Sequence, residues 1–87
     1  LKLEEYESAL IYFQSVLNHY YDIPFADDAR IGIIFTHILN ENRKGAQSYF
    51  NSQEGRFLSE NKYQEAETLL LDTEMGLRLA QYYQLYR

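Results

Sequence analysis

Few residues in this chain have side chains that could carry acid–base or metal chemistry. The sequence has two histidines, His19 and His37, and no cysteine. The histidines fall on different predicted helices, and neither has a second histidine at the i, i+4 spacing that places two metal ligands on one helix face. Asp27 and Asp28 are adjacent, and neighbours on a helix point about 100° apart, so they cannot share a proton as a catalytic pair does. A helix-start role is expected for both.

Sequence motifs for catalysis or cofactor binding are also missing. The chain has no serine–histidine–aspartate array, no glycine-rich phosphate loop and no dinucleotide fingerprint. We therefore predict a protein that is not an enzyme, with no catalytic residue, no cofactor and no metal. His19 is expected at a helix C-terminus, where partial positive charge is favoured, and His37 at the edge of a groove.

The nine tyrosines are a stronger indication of function. Tyrosine is favoured at protein interfaces because it combines a large apolar area with a polar tip and loses little entropy. Adjacent tyrosines in a helix cannot both face one core, so one of each pair should be exposed. We predict core positions for Tyr6, Tyr63 and Tyr83. The predicted partner-interface residues are Tyr21, Arg30, His37, Tyr82 and Tyr86.

Length and charge limit what the chain can be. Its 87 residues make one domain or a piece of one, and 46% hydrophobic residues are too many for a disordered segment. The net charge of −5 lies within residues 1–42, because basic and acidic residues balance from Arg43 onward. No basic stripe is present to replace phosphate counterions, so nucleic acid is not an expected partner. No stretch approaches the roughly 20 apolar residues of a membrane span.

Apolar residues recur at three- and four-residue intervals, which predicts an all-α protein. Pro24 should begin the second helix, with Asp22 as its N-cap. The apolar run 31–35 could pass for a buried strand, but its flanks are helical and no partner strand is present. We predict a single domain over residues 1–87 with three to four helices, at about 3–21, 24–39, 42–59 and 61–86. Whether 42–59 is one helix or a distorted repeat is left open.

Three segments place an alanine four residues before a larger apolar residue; in two of them a tyrosine lies three residues before the alanine, and the segment that begins with Arg43 is a weaker copy. They are Tyr6-x-x-Ala9-x-x-x-Phe13, Arg43-Lys-Gly-Ala46-x-x-x-Phe50 and Tyr63-Gln-Glu-Ala66-x-x-x-Leu70. Each resembles the second helix of a tetratricopeptide repeat, in which the small residue lets two helices of a hairpin pack closely. Ala9 and Ala46 are near the family's period of about 34 residues, whereas Ala66 follows much sooner. The resemblance implies antiparallel helix hairpins of an α-solenoid fragment.

The corner from Tyr20 to Ala29 narrows this resemblance. Its sequence, Tyr-Tyr-Asp-Ile-Pro-Phe-Ala-Asp-Asp-Ala, is similar to the inter-repeat corner of BamD-type outer-membrane assembly lipoproteins, which usually carry Ser or Thr at the position of Ile23 and often Pro at that of Tyr21. The resemblance implies a lipid-anchored, non-catalytic scaffold at the periplasmic face of the outer membrane. Its partners would be barrel-assembly components or unfolded outer-membrane proteins. The alternative is a general tetratricopeptide adaptor that binds a peptide or a partner protein in another compartment.

The first predicted helix has no hairpin partner before it. Terminal repeats of a solenoid normally need a polar cap, and this helix has none. We therefore expect the chain to be a piece of a longer solenoid. We also expect that it either leaves an apolar patch exposed or self-associates through the unpaired helix face.

Overall fold

The computed structural model describes the backbone of residues 2–85 and the side chains of residues 2–72. Its helices are α1 (Leu3–His19), α2 (Phe25–Leu39), α3 (Arg43–Ser52) and α4 (Glu60–Leu85). The predicted all-α fold is confirmed. No strand occurs within residues 2–85, and the apolar run 31–35 lies inside α2.

α2 lies at the centre of the fold. It packs against α1, α3 and α4, and α3 also packs against α4. The core cluster is built by α2, α3 and α4 and consists of Ile34, Ala46, Phe50, Ala66 and Leu70. Ala46 and Ala66 are fully buried, as expected where small residues let helices approach closely. Ala9, by contrast, is only half-buried.

The predicted third helix is too long. α3 ends at Ser52 instead of continuing to residue 59. The N–H of Arg56 donates to the carbonyl of Gln53 at 2.9 Å, which closes a turn. Within this turn Gly55 adopts φ +82°, a left-handed conformation that glycine reaches without steric cost. Residues 42–59 are therefore a short helix followed by a corner.

Three aromatic rings hold the chain after this corner against the core. The Phe57 ring centroid lies 6.3 Å from that of Phe50 and 5.7 Å from that of Tyr63. The rings of Phe50 and Tyr63 stack at 5.2 Å. Tyr63 is half-buried in this cluster, and Tyr6 is half-buried on α1; Tyr83 lies outside the residues whose side chains are described.

The predicted N-cap of α2 is wrong. Pro24 occupies the N-cap position with helical φ and ψ, and no side chain caps the helix. Asp22 stands two residues before that position and is exposed. A side-chain cap is found at α3 instead, where Asn42 accepts a hydrogen bond from the N–H of Gly45 at 3.0 Å.

Asp27 has a larger role than the start of its own helix. Its side chain is fully buried and accepts hydrogen bonds from the N–H groups of Leu58 at 2.9 Å and Ser59 at 2.8 Å. The Arg30 guanidinium contacts the same carboxylate at 2.9 Å. Asp27 thus ties α2 to the segment that leads into α4. Asp28 is exposed and pairs at 3.0 Å with Lys62 on the surface.

Candidate functional site

One concave feature of the described chain lies between α1 and α3. Both helices pack against α2, but they do not pack against each other. The space left open above α2 consists of two adjoining cavities of about 330 and 180 Å³, and Gln14 and Tyr49 line both. We call this feature the α1–α3 groove. The larger cavity is its apolar half and the smaller one its polar half.

The apolar half has a buried floor and an exposed rim. Ile33 of α2 forms the floor and is 4% exposed, whereas Ile11 of α1 is 69% exposed on the rim. Leu10 completes the apolar lining on α1. Val16, 9% exposed, is the only buried residue of α1. The expected exposed apolar surface is therefore present on α1, and part of it faces a groove.

The polar half contains two arginines in different states. Arg30 is buried beneath it, where its Nε donates to Gln53 at 3.1 Å and its guanidinium carbon lies 5.8 Å from the centroid of the Phe57 ring. Arg56 lies on the exposed rim, and its side chain has no partner among the described residues. Asp27 offsets the charge of Arg30, so Arg56 contributes the uncompensated positive charge.

Tyr49 of α3 lies where the two halves meet. Its hydroxyl is buried and has no hydrogen-bond partner among the described residues. Burial raises the pKa of Tyr49 to about 12, although the positive charges of Arg30 and Arg56 act to lower it. The hydroxyl therefore keeps its proton at neutral pH. A buried donor without an acceptor is costly in a folded protein, so an acceptor that reached this hydroxyl after the side chains covering it moved would be favoured.

A polar cluster stands beside the apolar half. The hydroxyl of Tyr6 and Nδ1 of His37 are 2.7 Å apart, and the Asn42 amide donates to the Tyr6 oxygen at 3.3 Å. Burial lowers the pKa of His37 below its ordinary value. Glu41 follows His37 at i+4, but it lies beyond the end of α2 with φ 59° and does not extend that helix face. The contacts join α1, α2 and the start of α3.

The groove brings together three of the residues predicted for a partner interface. His37 lines the apolar half, while Tyr21, 67% exposed, and the buried Arg30 line the polar half. Because the guanidinium of Arg30 is held by Asp27 and Gln53, it shapes the floor rather than presenting a free charge. The side chains of Tyr82 and Tyr86 lie outside the described residues. His19 is exposed at the end of α1, where its Nδ1 lies 2.9 Å from the Ser15 carbonyl oxygen.

Of the groove residues that the sequence did not single out, three matter most for what the groove can bind: Ile11, Tyr49 and Arg56. Ile11 could have been found, because it is a large aliphatic residue outside the apolar stripe of α1. Tyr49 and Arg56 had no such signal, because their role depends on how α1 and α3 sit on α2.

Comparison with known proteins adds no relative. No protein-family model matches the chain, and no curated protein or solved structure matches it either. Among the described residues, no helix is long and apolar enough to cross a membrane. No group of three or more histidine, cysteine, aspartate or glutamate residues in the described chain could hold a metal ion.

Proposed function

We propose that this protein is a non-catalytic scaffold for protein–protein interaction, and that the α1–α3 groove holds a segment of its partner. The observation that supports this most is the open groove itself, with Ile11 exposed above the buried Ile33. Covering an exposed isoleucine contributes roughly 1.5–3 kcal/mol. A partner side chain that fills the apolar half would add a similar amount, and the two together offset part of the roughly 4–15 kcal/mol cost of association. Polar and backbone contacts of the segment must supply the rest.

A peptide-display selection on the 87-residue protein tests this proposal. Peptides selected on the wild type are measured by fluorescence anisotropy against Ile11→Glu, which puts a charge on the rim of the apolar half. Leu71→Glu is the matched control, because Leu71 is an exposed aliphatic residue on α4 outside the groove. We expect Ile11→Glu to weaken binding at least tenfold and Leu71→Glu to leave it unchanged. Equal losses in the two variants would contradict a binding role for the groove.

A more specific proposal is that the protein is a BamD-like component of outer-membrane protein assembly. Its support is the resemblance of the corner from Tyr20 to Ala29 to the inter-repeat corner of BamD-type lipoproteins. It assigns the protein to the periplasmic face of the outer membrane, with barrel-assembly components or unfolded outer-membrane proteins as partners. Affinity purification of the full-length protein with quantified recovery of barrel-assembly components tests it. Recovery above that of an Ile11→Glu variant supports it. If none is recovered, the general tetratricopeptide adaptor in another compartment becomes the better proposal.

Self-association through α1 is a further part of the proposal. Leu3 and Tyr12 of α1 are 66% and 57% exposed, so the helix presents apolar side chains outside the groove as well. Sedimentation equilibrium at increasing protein concentration should show a reversible dimer. Tyr12→Glu should return the protein to a monomer. A wild type that stays monomeric at every concentration would contradict self-association and leave the groove proposal unaffected.

A further inference from the structure

The polar half of the α1–α3 groove is lined by hydrogen-bond donors that lack an acceptor. The Tyr49 hydroxyl is buried without a partner, and the Arg56 side chain has none among the described residues. No acidic side chain lines either half of the groove. The one carboxylate in contact with the floor residue Arg30 is Asp27, which already accepts from two backbone N–H groups. The chemistry that this site lacks is an anionic acceptor.

We propose that the partner segment carries an aspartate or glutamate whose carboxylate accepts from Arg56 on the rim and, once side chains at the groove shift on binding, from the Tyr49 hydroxyl, while a nearby aliphatic side chain fills the apolar half. This rests on the proposed function and adds the chemical class of the ligand. Hydrogen bonds to a carboxylate are stronger than those between neutral groups, and arginine matches a carboxylate well in shape. The positive charges beside Tyr49 favour the ionised form of the bound acid.

Charge distinguishes this ligand from larger anions. The chain carries a net charge of −5, which opposes nucleic acid or an anionic lipid surface. A single carboxylate on a short segment responds mainly to the charges within about one Debye length, roughly 8 Å at physiological salt. Within the groove lining, those charges belong to Arg56 and to Arg30, and Asp27 neutralises the charge of Arg30.

The geometry of the groove also sets the spacing in the ligand. On α1, the apolar half is centred near Ile11 and the polar half near Leu17 and Asn18. At 1.5 Å per helical residue, the two centres are roughly 9 Å apart. A peptide in polyproline II geometry rises about 3.1 Å per residue with three residues per turn, so its residues i and i+3 share one face and are about 9 Å apart. The expected motif is therefore an aliphatic residue and an acidic residue separated by two others.

The test uses the selected peptides described above, each synthesised with Glu or Asp at the acidic position and with Gln or Asn there. We expect the amide versions to bind about tenfold more weakly or worse. Arg56→Glu should weaken the acidic peptides by a similar factor. Lys44→Glu is the matched control, because it makes the same charge change at an exposed site on α3 outside the groove. We expect it to change affinity less than twofold.

Tyr49→Phe separates hydrogen bonding from general charge attraction. The hydroxyl has no partner in the described chain, so its removal should leave the fold intact. We expect this variant to keep part of the preference for the acidic peptides, because Arg56 remains, but to show a smaller difference between acidic and amide versions than the wild type does. If groove-binding peptides show no preference for an acid, the present inference is overturned and the proposed function stands. If no selected peptide is sensitive to Ile11→Glu, both are overturned.

Discussion

Replacing Asp27 with asparagine should destabilise the protein severely. Asp27 is fully buried, and its Oδ2 accepts from the N–H groups of Leu58 at 3.0 Å and Ser59 at 2.8 Å. Its Oδ1 accepts from the same Leu58 N–H at 2.9 Å and from the Arg30 guanidinium at 2.9 Å. An asparagine amide offers only one acceptor oxygen. If that oxygen keeps the two backbone bonds, the NH₂ group faces the Arg30 guanidinium, donor against donor.

The expected loss in the free energy of unfolding is large. Removing one partner of a buried ion pair costs about 3–5 kcal/mol, because the other charge is left buried without compensation. A domain of this length has a total stability of about 4–13 kcal/mol. Asp27→Asn should therefore remove between a quarter and all of the stability. Urea denaturation followed by far-ultraviolet circular dichroism measures the change as a lower transition midpoint with an unchanged slope.

Asp28→Asn is the matched control for this prediction. It makes the same chemical change one residue further along α2, at an exposed carboxylate paired with Lys62 at 3.0 Å. Exposed pairs of this kind contribute about 0–1 kcal/mol. In the double variant Asp27→Asn/Arg30→Leu the uncompensated charge is gone, so part of the stability should return. Equal and small effects of the two single variants would refute the role assigned to Asp27.

Three further predictions concern side chains beside the groove. Because burial lowers the pKa of His37, the unfolded chain takes up the proton more readily than the native chain. The urea midpoint should therefore fall as pH drops below about 6.5, and His37→Gln should reduce this dependence. Tyr49→Phe should raise stability by about 1 kcal/mol at pH 7, because it removes a buried unpaired hydroxyl. It should also reduce the loss of stability between about pH 10 and 12, since the native state keeps a proton on Tyr49 there that the unfolded chain releases. Gly32→Ala should lower the free energy of unfolding by about 1–3 kcal/mol, because a Cβ there would lie 2.6 Å from the Phe13 ring. Adding Phe13→Leu to the same chain should recover part of that loss, as measured by thermal unfolding.

The helices were predictable because their signal is local. The three- and four-residue spacing of apolar residues identified all four, and Ala46 and Ala66 occupy the buried positions that small residues between helices suggest. The end of α3 was not predictable from propensity alone. Gly55 costs only about 1 kcal/mol inside a helix, so the sequence does not require a break there. The break comes from the aromatic cluster around Phe57, which draws the chain back to the core.

The contacts that define the candidate site are long-range, which is why sequence reasoning reached only part of it. From the sequence, Asp27 was expected only to begin its helix. The two residues whose N–H groups donate to its carboxylate, Leu58 and Ser59, lie 31 and 32 residues later in the chain. Tyr49 becomes significant only when α1 and α3 sit on α2 and enclose its hydroxyl. His37 was placed correctly at a groove edge, where it lines the apolar half.

Mapping a selected peptide onto the isotopically labelled 87-residue protein by NMR tests the central claim most directly. If the α1–α3 groove is the binding surface, the amide shifts should concentrate in the stretch from Leu10 to Leu17 and in the stretch from Tyr49 to Arg56. The amides around Leu71 on α4 should stay in place. Shifts confined to α4, or saturating binding with no shift at the groove, would contradict the proposal that this protein works as a scaffold through that surface.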